Sequence, residues 1–286
     1  MEEIFLTVTN VFILSALYIL VTLGFAFIFN MVGVFNIAHS SIFMASAYFG
    51  YLFIGAIGLN PWLGLVAVVI LMALVGIILE RFLFRPFLGD FNSQIMVGLA
   101  VILIATTVVT IVVGHMNVII PPLIEGRIGA PPYSISWTRF LTFLVGFIVL
   151  FAIVVFVNRT KWGVQMQAIS QNMEAASLQG INIFRVTSIV FALGCSLAAV
   201  AGVLMGSMYQ LDPFMGQFTL VKILAIVIIA GVGSFNGIIF AGLIMGTLYA
   251  VLPLFISGTY SDIIAVGAVM IILLIRPSGF FGRAVA

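Results

Sequence analysis

Charged residues are scarce in this chain. Ten basic and eight acidic residues make up 6% of its 286 positions, whereas 64% are hydrophobic. A soluble domain carries about 25% charged residues, because its surface must be solvated by water. Most of this surface is therefore expected to face lipid, and the net charge of +2 gives no indication of a nucleic-acid partner. The composition predicts an integral membrane protein.

Residue types that particular chemistries need are also rare. One cysteine, Cys195, and two histidines supply neither a disulfide framework nor convergent metal ligands, so no metal site is expected. Cys195 is expected to be a small buried apolar side chain. Lys161 and Lys222 follow no glycine-rich run of the phosphate-binding form, so the chain is not expected to bind ATP. The acidic start Met1-Glu2-Glu3 is unlike a cleavable secretion signal, so the first apolar run is expected to be a retained span.

Long apolar runs are abundant. A helix of about 20 mostly apolar residues crosses a hydrocarbon core roughly 30 Å thick. All nine prolines fall outside the runs, which is expected where lipid cannot replace a lost backbone hydrogen bond. The pattern predicts an all-α fold, a polytopic transmembrane bundle forming a single domain over 1–286. The runs are 11–29, 41–58, 62–79, 93–113, 139–157, 186–206 and 261–275.

The stretch 222–252 does not fit one helix. It would be about 46 Å long, well beyond the core thickness. Its centre, Gly231-Val-Gly-Ser-Phe-Asn-Gly237, is a poor helix interior. We predict two short segments that meet at this glycine turn, the first of them only about a half-span, and a second short or broken helix near 30–41. The whole bundle is then predicted to have about eight or nine spans.

Basic residues follow alternate runs. Loops with an excess of Lys and Arg stay in the cytoplasm, so this spacing predicts an outside N-terminus and a cytoplasmic C-terminus. The scheme holds only if 222–252 enters the membrane and returns, which independently favours the broken helix. The basic residues are Arg81 and Arg85, then Arg159, Lys161 and Arg185, then Arg276 and Arg283.

The longest predicted cytoplasmic loop, 158–185, has helical periodicity. Its apolar residues at helical spacing predict one short amphipathic helix, with Gly180 as its C-terminal cap and Asn182 capping the next helix. Such a helix can lie on the membrane or dock into a groove of a cytoplasmic partner. It lacks a face rich in Lys and Arg, which favours the partner. The apolar residues are Met166, Ile169, Met173 and Ala176.

Several short motifs occur in the order seen in one transporter family. Glu174-Ala175-Ala176 followed by Gly180 resembles the coupling loop of ABC importer permeases. Its surroundings resemble the branched-chain amino acid permease family, in which the ATPase subunit grips this loop. The further motifs are Trp162-Gly163, Arg185-Val186, Asn36-Ile-Ala-His39, Glu80-Arg81, Arg85-Pro86, the turn 231–237 and Arg276-Pro277-Ser278-Gly279-Phe280-Phe281-Gly282.

The resemblance implies a set of contacts with the ATPase. These residues are Gly163, Ala168, Met173, Glu174, Ala175, Ala176, Leu178 and Gly180. It also implies a pair of permeases, the second homologous but different, above two ATPases that carry the ATP and Mg. An extracytoplasmic binding protein would deliver the solute, and the complex would lie in the cytoplasmic (inner) membrane of a bacterium or an archaeon. No cofactor is expected on this chain.

Polar residues near the two broken helices are candidates for the solute path. Unpaired polar side chains are costly in lipid, so they must face protein, water or a cavity. Capping of helix ends is the alternative interpretation for the first cluster, which also contains Ser41. The candidates are Asn36, His39, Ser40, Gly231, Gly233, Ser234 and Asn236. Small residues at Gly237, Ala241, Gly242 and Gly246 indicate close helix packing.

Four classes of membrane protein are compared for this pattern. An enzyme is not expected, because the spans offer no convergent catalytic side chains. An ion-coupled carrier needs charges at mid-membrane, whereas the ionisable residues here are predicted at run boundaries, and no filter sequence indicates a channel. The remaining class is the one that the resemblance implies, an ABC permease subunit, and the resemblance further implies branched-chain or other hydrophobic, neutral amino acids as its solutes. Urea and short-chain amides are alternative solutes, and sugars more distant ones, because the chain departs from the family pattern at Ser40, Ala230 and Asn236.

Overall fold

The chain is a bundle of membrane-length and shorter helices. A computed structural model describes residues 2–114, 118–129, 133–231, 233–256, 258–276 and 279–281. Val232, Pro277, Ser278, Gly282 and Arg283, which belong to predicted motifs, lie outside these ranges. The described helices are α1 (Glu2–Val32), α2 (His39–Gly50), α3 (Pro61–Leu79), α4 (Phe91–Val113), α5 (Trp137–Arg159), α6 (Lys161–Gln171), α7 (Met173–Leu178), α8 (Ile183–Gly206), α9 (Met215–Ala230), α10 (Phe235–Val251) and α11 (Gly258–Ile275).

Short irregular helices extend several of these elements. A π-helical turn over Tyr51–Ala56 continues α2, and a π-helical segment over Glu80–Phe84 followed by a 3₁₀ turn over Arg85–Phe87 continues α3. A 3₁₀ turn over Leu252–Leu254 ends α10. The loop before α5 carries a two-residue antiparallel ladder, β1 (Arg127–Ile128) and β2 (Ile135–Ser136), which the apolar pattern did not predict.

The predicted all-α polytopic fold is confirmed. Within the described residues, six helices are long and apolar enough to cross a membrane. Five of them match predicted runs, and the sixth, which begins at Phe235, is the second half of the stretch 222–252. The shorter helices α2, α9 and α11 occupy the remaining predicted segments. The first run was predicted too short, because α1 has 31 residues and is about 46 Å long.

Side-chain caps set several helix starts. Asn60 accepts a hydrogen bond from the Trp62 amide at the start of α3, where Pro61 takes the first position. Asp90 accepts bonds from the Ser93 amide and hydroxyl at the start of α4, and these bonds hold the pKa of Asp90 below its usual value. Polar residues at run boundaries therefore define where the apolar helices begin.

The core lies along α1 and α8. In α1 83% and in α8 72% of the most apolar window is buried, against 28% in α3 and 17% in both α4 and α5. The outer helices expose large apolar side chains such as Ile111 and Phe151, as expected where lipid is the solvent. Helix α10 packs on α1 through glycines: Gly242 faces Ile19, and Gly246 faces Ser15. The close-packing interpretation of these small residues is confirmed.

The turn between α9 and α10 is where the sequence predicted a break. Helix α9 ends at Ala230, and Ser234 caps α10 by accepting a hydrogen bond from the Gly237 amide at 3.0 Å. The start of the first segment was predicted wrongly, since α9 begins at Met215 and not near 222. With 16 residues, α9 is about 24 Å long.

Helices α2 and α9 both begin inside the bundle. The ring of His39, the first residue of α2, lies 3.1 Å from the carbonyl oxygen of Val21 in the middle of α1. A methyl group at Gly216, near the start of α9, would stand 2.7 Å from the carbonyl oxygen of Ser40. The two helix starts therefore meet, and the segments 33–38 and 207–214 that lead to them re-enter the bundle. Non-helical backbone at this depth is tolerated where protein surrounds it.

Contacts between loops that are far apart in the sequence define one end of the bundle. The Phe35 amide, after α1, donates to Gln94 in the first turn of α4 at 2.9 Å. Arg85, after α3, donates to Ser188 near the start of α8 at 3.0 Å. Helices α6 and α7 lie between α5 and α8 at this same end. We call it the α6–α7 end.

Candidate functional site

The segment between α5 and α8 starts with a tight turn. The Thr160 hydroxyl donates to the Phe156 carbonyl at 2.7 Å and accepts from the Gly163 amide at 3.1 Å, so one side chain ends α5 and caps α6. A side chain at position 163 would overlap the backbone of Val157. Gly163 therefore lets α6 fold back directly against the end of α5.

The single amphipathic helix predicted for this segment is wrong. The structure contains two helices, α6 and α7, with Asn172 between them in an extended conformation. The side-chain carbonyl oxygen of Asn172 accepts a hydrogen bond from the Ala175 amide at 2.9 Å. A side chain that caps a new helix competes with continuation of the old one, which explains the break.

The end of α7 is built as the sequence predicted. Gly180 has a φ of +81°, and the Ile181 amide donates to the Ala176 carbonyl at 3.2 Å, the bond that closes a helix C-terminus of this kind. Asn182 then caps α8 by accepting from the Arg185 amide at 3.1 Å. Both predicted caps are confirmed, and together they fix the direction in which α7 projects.

The segment has a buried and an exposed side. Met166, Ile169 and Ala176 are buried in a cluster with Met31 and Phe84. Leu178 is 88% exposed, and the side chain of Glu174 also faces outward. Of the other residues predicted to contact an ATPase, Gly163 is buried, Ala168 and Met173 are half-buried, and Ala175 and Gly180 are exposed.

The turn after α9 faces α6 across a cavity of about 560 Å³. Three predicted path residues, Gly233, Ser234 and Asn236, line it, together with Phe27 of α1. The polar side chains on the opposite wall were not predicted as path residues, although Asn158 stands directly after the apolar run 139–157. They are Asn158, Gln167, Ser170 and Gln171.

Gly231, the fourth predicted path residue of that turn, contacts the C-terminal motif. The amides of Phe280 and Phe281 donate to the carbonyls of Ile229 and Ala230 at 2.8 and 3.1 Å. A methyl group at Gly279 would stand 2.6 Å from both the Gly231 nitrogen and the Ile228 carbonyl oxygen, so a glycine at 279 is needed for the approach. The C-terminal motif therefore satisfies carbonyl groups at the end of α9.

The polar residues after α1 are fully buried. Asn36, His39 and Ser40 are each 0% exposed. The Ser40 hydroxyl bonds to the Ile37 carbonyl at 3.1 Å, and neither polar atom of the Asn36 side chain has a hydrogen-bond partner among the described residues. The capping interpretation is wrong for this cluster, because α2 has no side-chain cap. A role in the solute path stays a prediction for these three residues.

An ion pair at the end of α3, between the half-buried Arg85 and the buried Glu80, contacts α8 through Ser188 at the α6–α7 end. The Arg85 guanidinium donates to both oxygens of Glu80, at 2.9 and 2.6 Å, and Glu80 is 0% exposed. The Ser188 hydroxyl donates to Glu80 at 2.7 Å, and the guanidinium also stands 4.9 Å from the ring centre of Phe184. The sequence motifs that contain Glu80 and Arg85 gave no indication that these two residues pair with each other.

Lys222 is the residue for which the sequence prediction failed most clearly. It was expected at a run boundary, but α9 begins seven residues earlier, at Met215. Lys222 therefore lies inside a membrane helix, half-buried against the rings of Tyr18 and Tyr249.

In the part of the chain that the structure describes, no group of three or more His, Cys, Asp or Glu residues could hold a metal ion.

Several known proteins are similar to this chain in sequence. A family model described as "Branched-chain amino acid transport system / permease component" matches residues 7–274. The high-affinity branched-chain amino acid transport system permease protein LivH of Escherichia coli (strain K12) is 28% identical over 94% of this chain and 92% of its own length. The corresponding protein BraD of Pseudomonas aeruginosa is also 28% identical, over 93% of this chain and 92% of its own.

One solved structure has the same fold. A chain of PsaBC from Streptococcus pneumoniae in complex with Fab superposes with a TM-score of 0.56 at 14% identity, covering 95% of this chain and 92% of that chain. The family match spans all the motifs from Asn36 to the glycine turn, and the segment α6–α7 lies inside it. The chain therefore belongs to the permease-component family of branched-chain amino acid transport systems and is a membrane transport subunit of the ABC type.

Proposed function

We propose that this chain is one permease of an ATP-driven importer for branched-chain and other hydrophobic, neutral amino acids. The solute assignment is supported by the names of the relatives that match over nearly the whole chain. Urea or a short-chain amide is the alternative solute.

One observation carries the assignment of an external ATPase. Leu178 is a large apolar side chain, 88% exposed, on a short helix outside the apolar runs. Caps at both ends of α7 hold it in a fixed orientation, so ordering it on binding costs little entropy. A preorganised apolar side chain with an acidic neighbour, Glu174, suits insertion into a groove of a soluble protein. We assign that groove to a cytoplasmic ATPase, which would bind the ATP and Mg.

The further partners follow from the same proposal. Two permeases, this chain and a homologous second one, would sit above two ATPases, and an extracytoplasmic binding protein would deliver the solute. Polar residues of α9 that this chain leaves partly uncovered, such as Gln217 and Lys222, support a protein neighbour in the membrane. No cofactor is assigned to this chain itself.

Charge supports one orientation in the cytoplasmic membrane of a bacterium or an archaeon. Arg81 and Arg85 lie at the α6–α7 end, as do Arg159, Lys161 and Arg185. The excess of basic residues supports a cytoplasmic position for this end, which would put the start of α1 outside and the end of α11 inside.

Replacement of Leu178 by aspartate is expected to abolish capture of the ATPase. A buried hot-spot side chain contributes enough that its loss reduces affinity about thirtyfold or more. The permease would be co-expressed with the second permease, the ATPases and the binding protein, and purified by a tag on this chain. The complex would be assayed for bound ATPase and for ATP-driven uptake of labelled leucine and urea in proteoliposomes. Leu178→Met should retain both properties.

Ile124→Asp is the matched control, because Ile124 is also an exposed aliphatic side chain but lies in the loop at the opposite end. It should bind ATPase like the unmodified chain. Full ATP-driven uptake by Leu178→Asp would disprove the docking role. If the transporter takes up urea but not leucine, the amino acid assignment is wrong and urea is the solute.

A further inference from the structure

Arg139 is a half-buried cation at the end of the bundle opposite the α6–α7 end. It lies in the first turn of α5, and its guanidinium donates a hydrogen bond to the side-chain oxygen of Asn10 in α1 at 3.1 Å. Within the described residues, no carboxylate forms an ion pair with it. A guanidinium has five N–H donors, so one neutral amide uses only a small part of its capacity. A cation in the first turn also faces the positive end of the helix dipole, which a bound anion would offset.

A short β-ladder holds a second cation beside Arg139. Arg127 of β1 pairs with Ser136 of β2, and Ser136 is the residue that caps α5. Both arginines line a cavity of about 460 Å³, together with the hydroxyl-bearing residues Ser134 and Ser136. In the part of the chain that the structure describes, Arg127 makes no ion pair either. Two cations around one cavity, neither of them paired with a described carboxylate, are expected to attract an anion.

The depth of Arg139 matches a boundary between lipid and water. Its partner Asn10 lies about 33 Å along α1 from Val32, which is close to the roughly 30 Å thickness of a hydrocarbon core. Trp137 and Tyr133, which precede Arg139 in the chain, are 37% and 45% exposed. Such aromatic residues are enriched at the level of lipid headgroups. The guanidinium therefore lies at the level of phospholipid phosphates.

An apolar groove continues from Arg139 towards the membrane interior. A cavity of about 280 Å³ is lined by Arg139 and by the rings of Phe12, Phe140 and Phe143, all of them at least partly exposed. The rings of Phe12 and Phe143 touch edge to face, with centres 6.0 Å apart. Phe143 lies about one helical turn further along α5 than Arg139. A charged cavity at the boundary with an apolar groove one turn deeper has the polarity of a phospholipid.

We propose that Arg139 and Arg127 bind the phosphate of a phospholipid in the leaflet opposite the α6–α7 end, with an acyl chain in the groove between Phe12 and Phe143. The phosphate oxygens accept paired N–H bonds from the Arg139 guanidinium, the geometry in which these two groups bind most strongly. Only 17% of the most apolar window of α5 is buried, so lipid reaches the groove from the side. An acidic side chain of an extracytoplasmic protein is the alternative anion. It would leave the apolar groove empty, which favours the lipid.

The ligand is tested on the purified full chain in an uncharged maltoside detergent, by the temperature of unfolding. Titration with dioleoylphosphatidylglycerol is expected to raise this temperature by a few degrees, because a ligand that binds only the folded chain stabilises it. Dioleoylglycerol has the same acyl chains and no phosphate, so it should give a much smaller rise. Inorganic phosphate alone should give none, because it cannot use the groove.

Three glutamine variants test the residues. Arg139→Gln removes the charge and keeps a side-chain N–H donor, and it should raise the lipid concentration for half of the stabilisation about tenfold, as for the loss of charge-assisted hydrogen bonds. Arg127→Gln changes an exposed residue and should raise it by a smaller factor, which keeps the proposal testable if Arg139→Gln does not fold. Arg159→Gln is the matched control: it removes the same charge at the other end of α5 and should leave the midpoint unchanged.

Midpoints for Arg139→Gln and Arg127→Gln equal to that of the unmodified chain would overturn the proposal. A rise with dioleoylglycerol as large as with the phospholipid would do so too, because the phosphate would then contribute nothing. Stabilisation by inorganic phosphate alone would assign the site to a free anion. If Arg139→Gln loses capture of the binding protein but binds the lipid unchanged, the anion is an acidic side chain of that protein. The solute enters none of these measurements, so the proposed function stands or falls separately.

Discussion

Replacement of Gly246 by leucine is expected to prevent α10 from packing on α1. A methyl group at Gly246 would stand 2.6 Å from the Ser15 backbone nitrogen and 2.7 Å from its Cα. Because the obstacle is backbone, no rotamer change relieves it, and the two helices must separate. Overpacking in a core costs about 1–3 kcal/mol, and the cost here should exceed that range.

The membrane makes this separation hard to compensate. Lipid tails are as apolar as the helix surfaces, so helices associate through close packing and not through exclusion of water. Gly242 against Ile19 belongs to the same interface and would lose its contact together with Gly246. Gly246→Leu should therefore give little monodisperse protein in detergent, with Gly246→Ala intermediate.

Gly267→Leu is the control for this experiment. Gly267 is also a glycine inside an apolar helix, but a methyl group there would meet no neighbouring atom within 4 Å. Its temperature of unfolding, followed by circular dichroism or intrinsic fluorescence, should match that of the unmodified chain. Similar losses at 246 and 267 would mean that helix propensity, and not the contact with α1, limits stability.

Local signals in the sequence were sufficient to locate most of the membrane helices, though not all of their ends. Apolar length and the placement of prolines located the membrane helices, because lipid forces every backbone polar group in a span into a helix. Gly180 and Asn182 were recognised as caps from their chemistry alone, and both act as expected. The glycine turn at 231–237 was found because its residues are poor helix formers.

The sequence failed where tertiary contacts decide the structure. Asn172 looked like one polar residue on an amphipathic helix, and its capping of α7 depends on geometry that periodicity does not contain. The early start of α9 was missed because the segment 207–214 re-enters the bundle without a long apolar run. That error hid Lys222, since a lysine at an apparent boundary needs no explanation. Asn36 and His39 were correctly expected to face protein or a cavity, but their complete burial follows from packing alone.

Loss of the ion pair between Glu80 and Arg85 is expected to cause the second large loss of stability. Arg85→Met is expected to leave the buried Glu80 carboxylate with the Ser188 hydroxyl as its remaining hydrogen-bond donor. Breaking a buried pair by removing one partner costs about 3–5 kcal/mol. The temperature of unfolding in detergent should fall accordingly, and Arg85→Lys should recover only part of the loss, because a lysine cannot reproduce the two parallel bonds.

The double variant Glu80→Met with Arg85→Met separates the charge from the packing. Replacing both partners of a buried pair by apolar residues is often neutral, because no ion remains to be solvated. The double variant should therefore unfold closer to the unmodified chain than Arg85→Met does, in spite of carrying one more substitution. Arg81→Met is the control, since Arg81 is exposed and its guanidinium stands 6.0 Å from the ring centre of Phe82. If the double variant is less stable than Arg85→Met, the Glu80 carboxylate stabilises the link between α3 and α8 independently of Arg85, through its bond with Ser188.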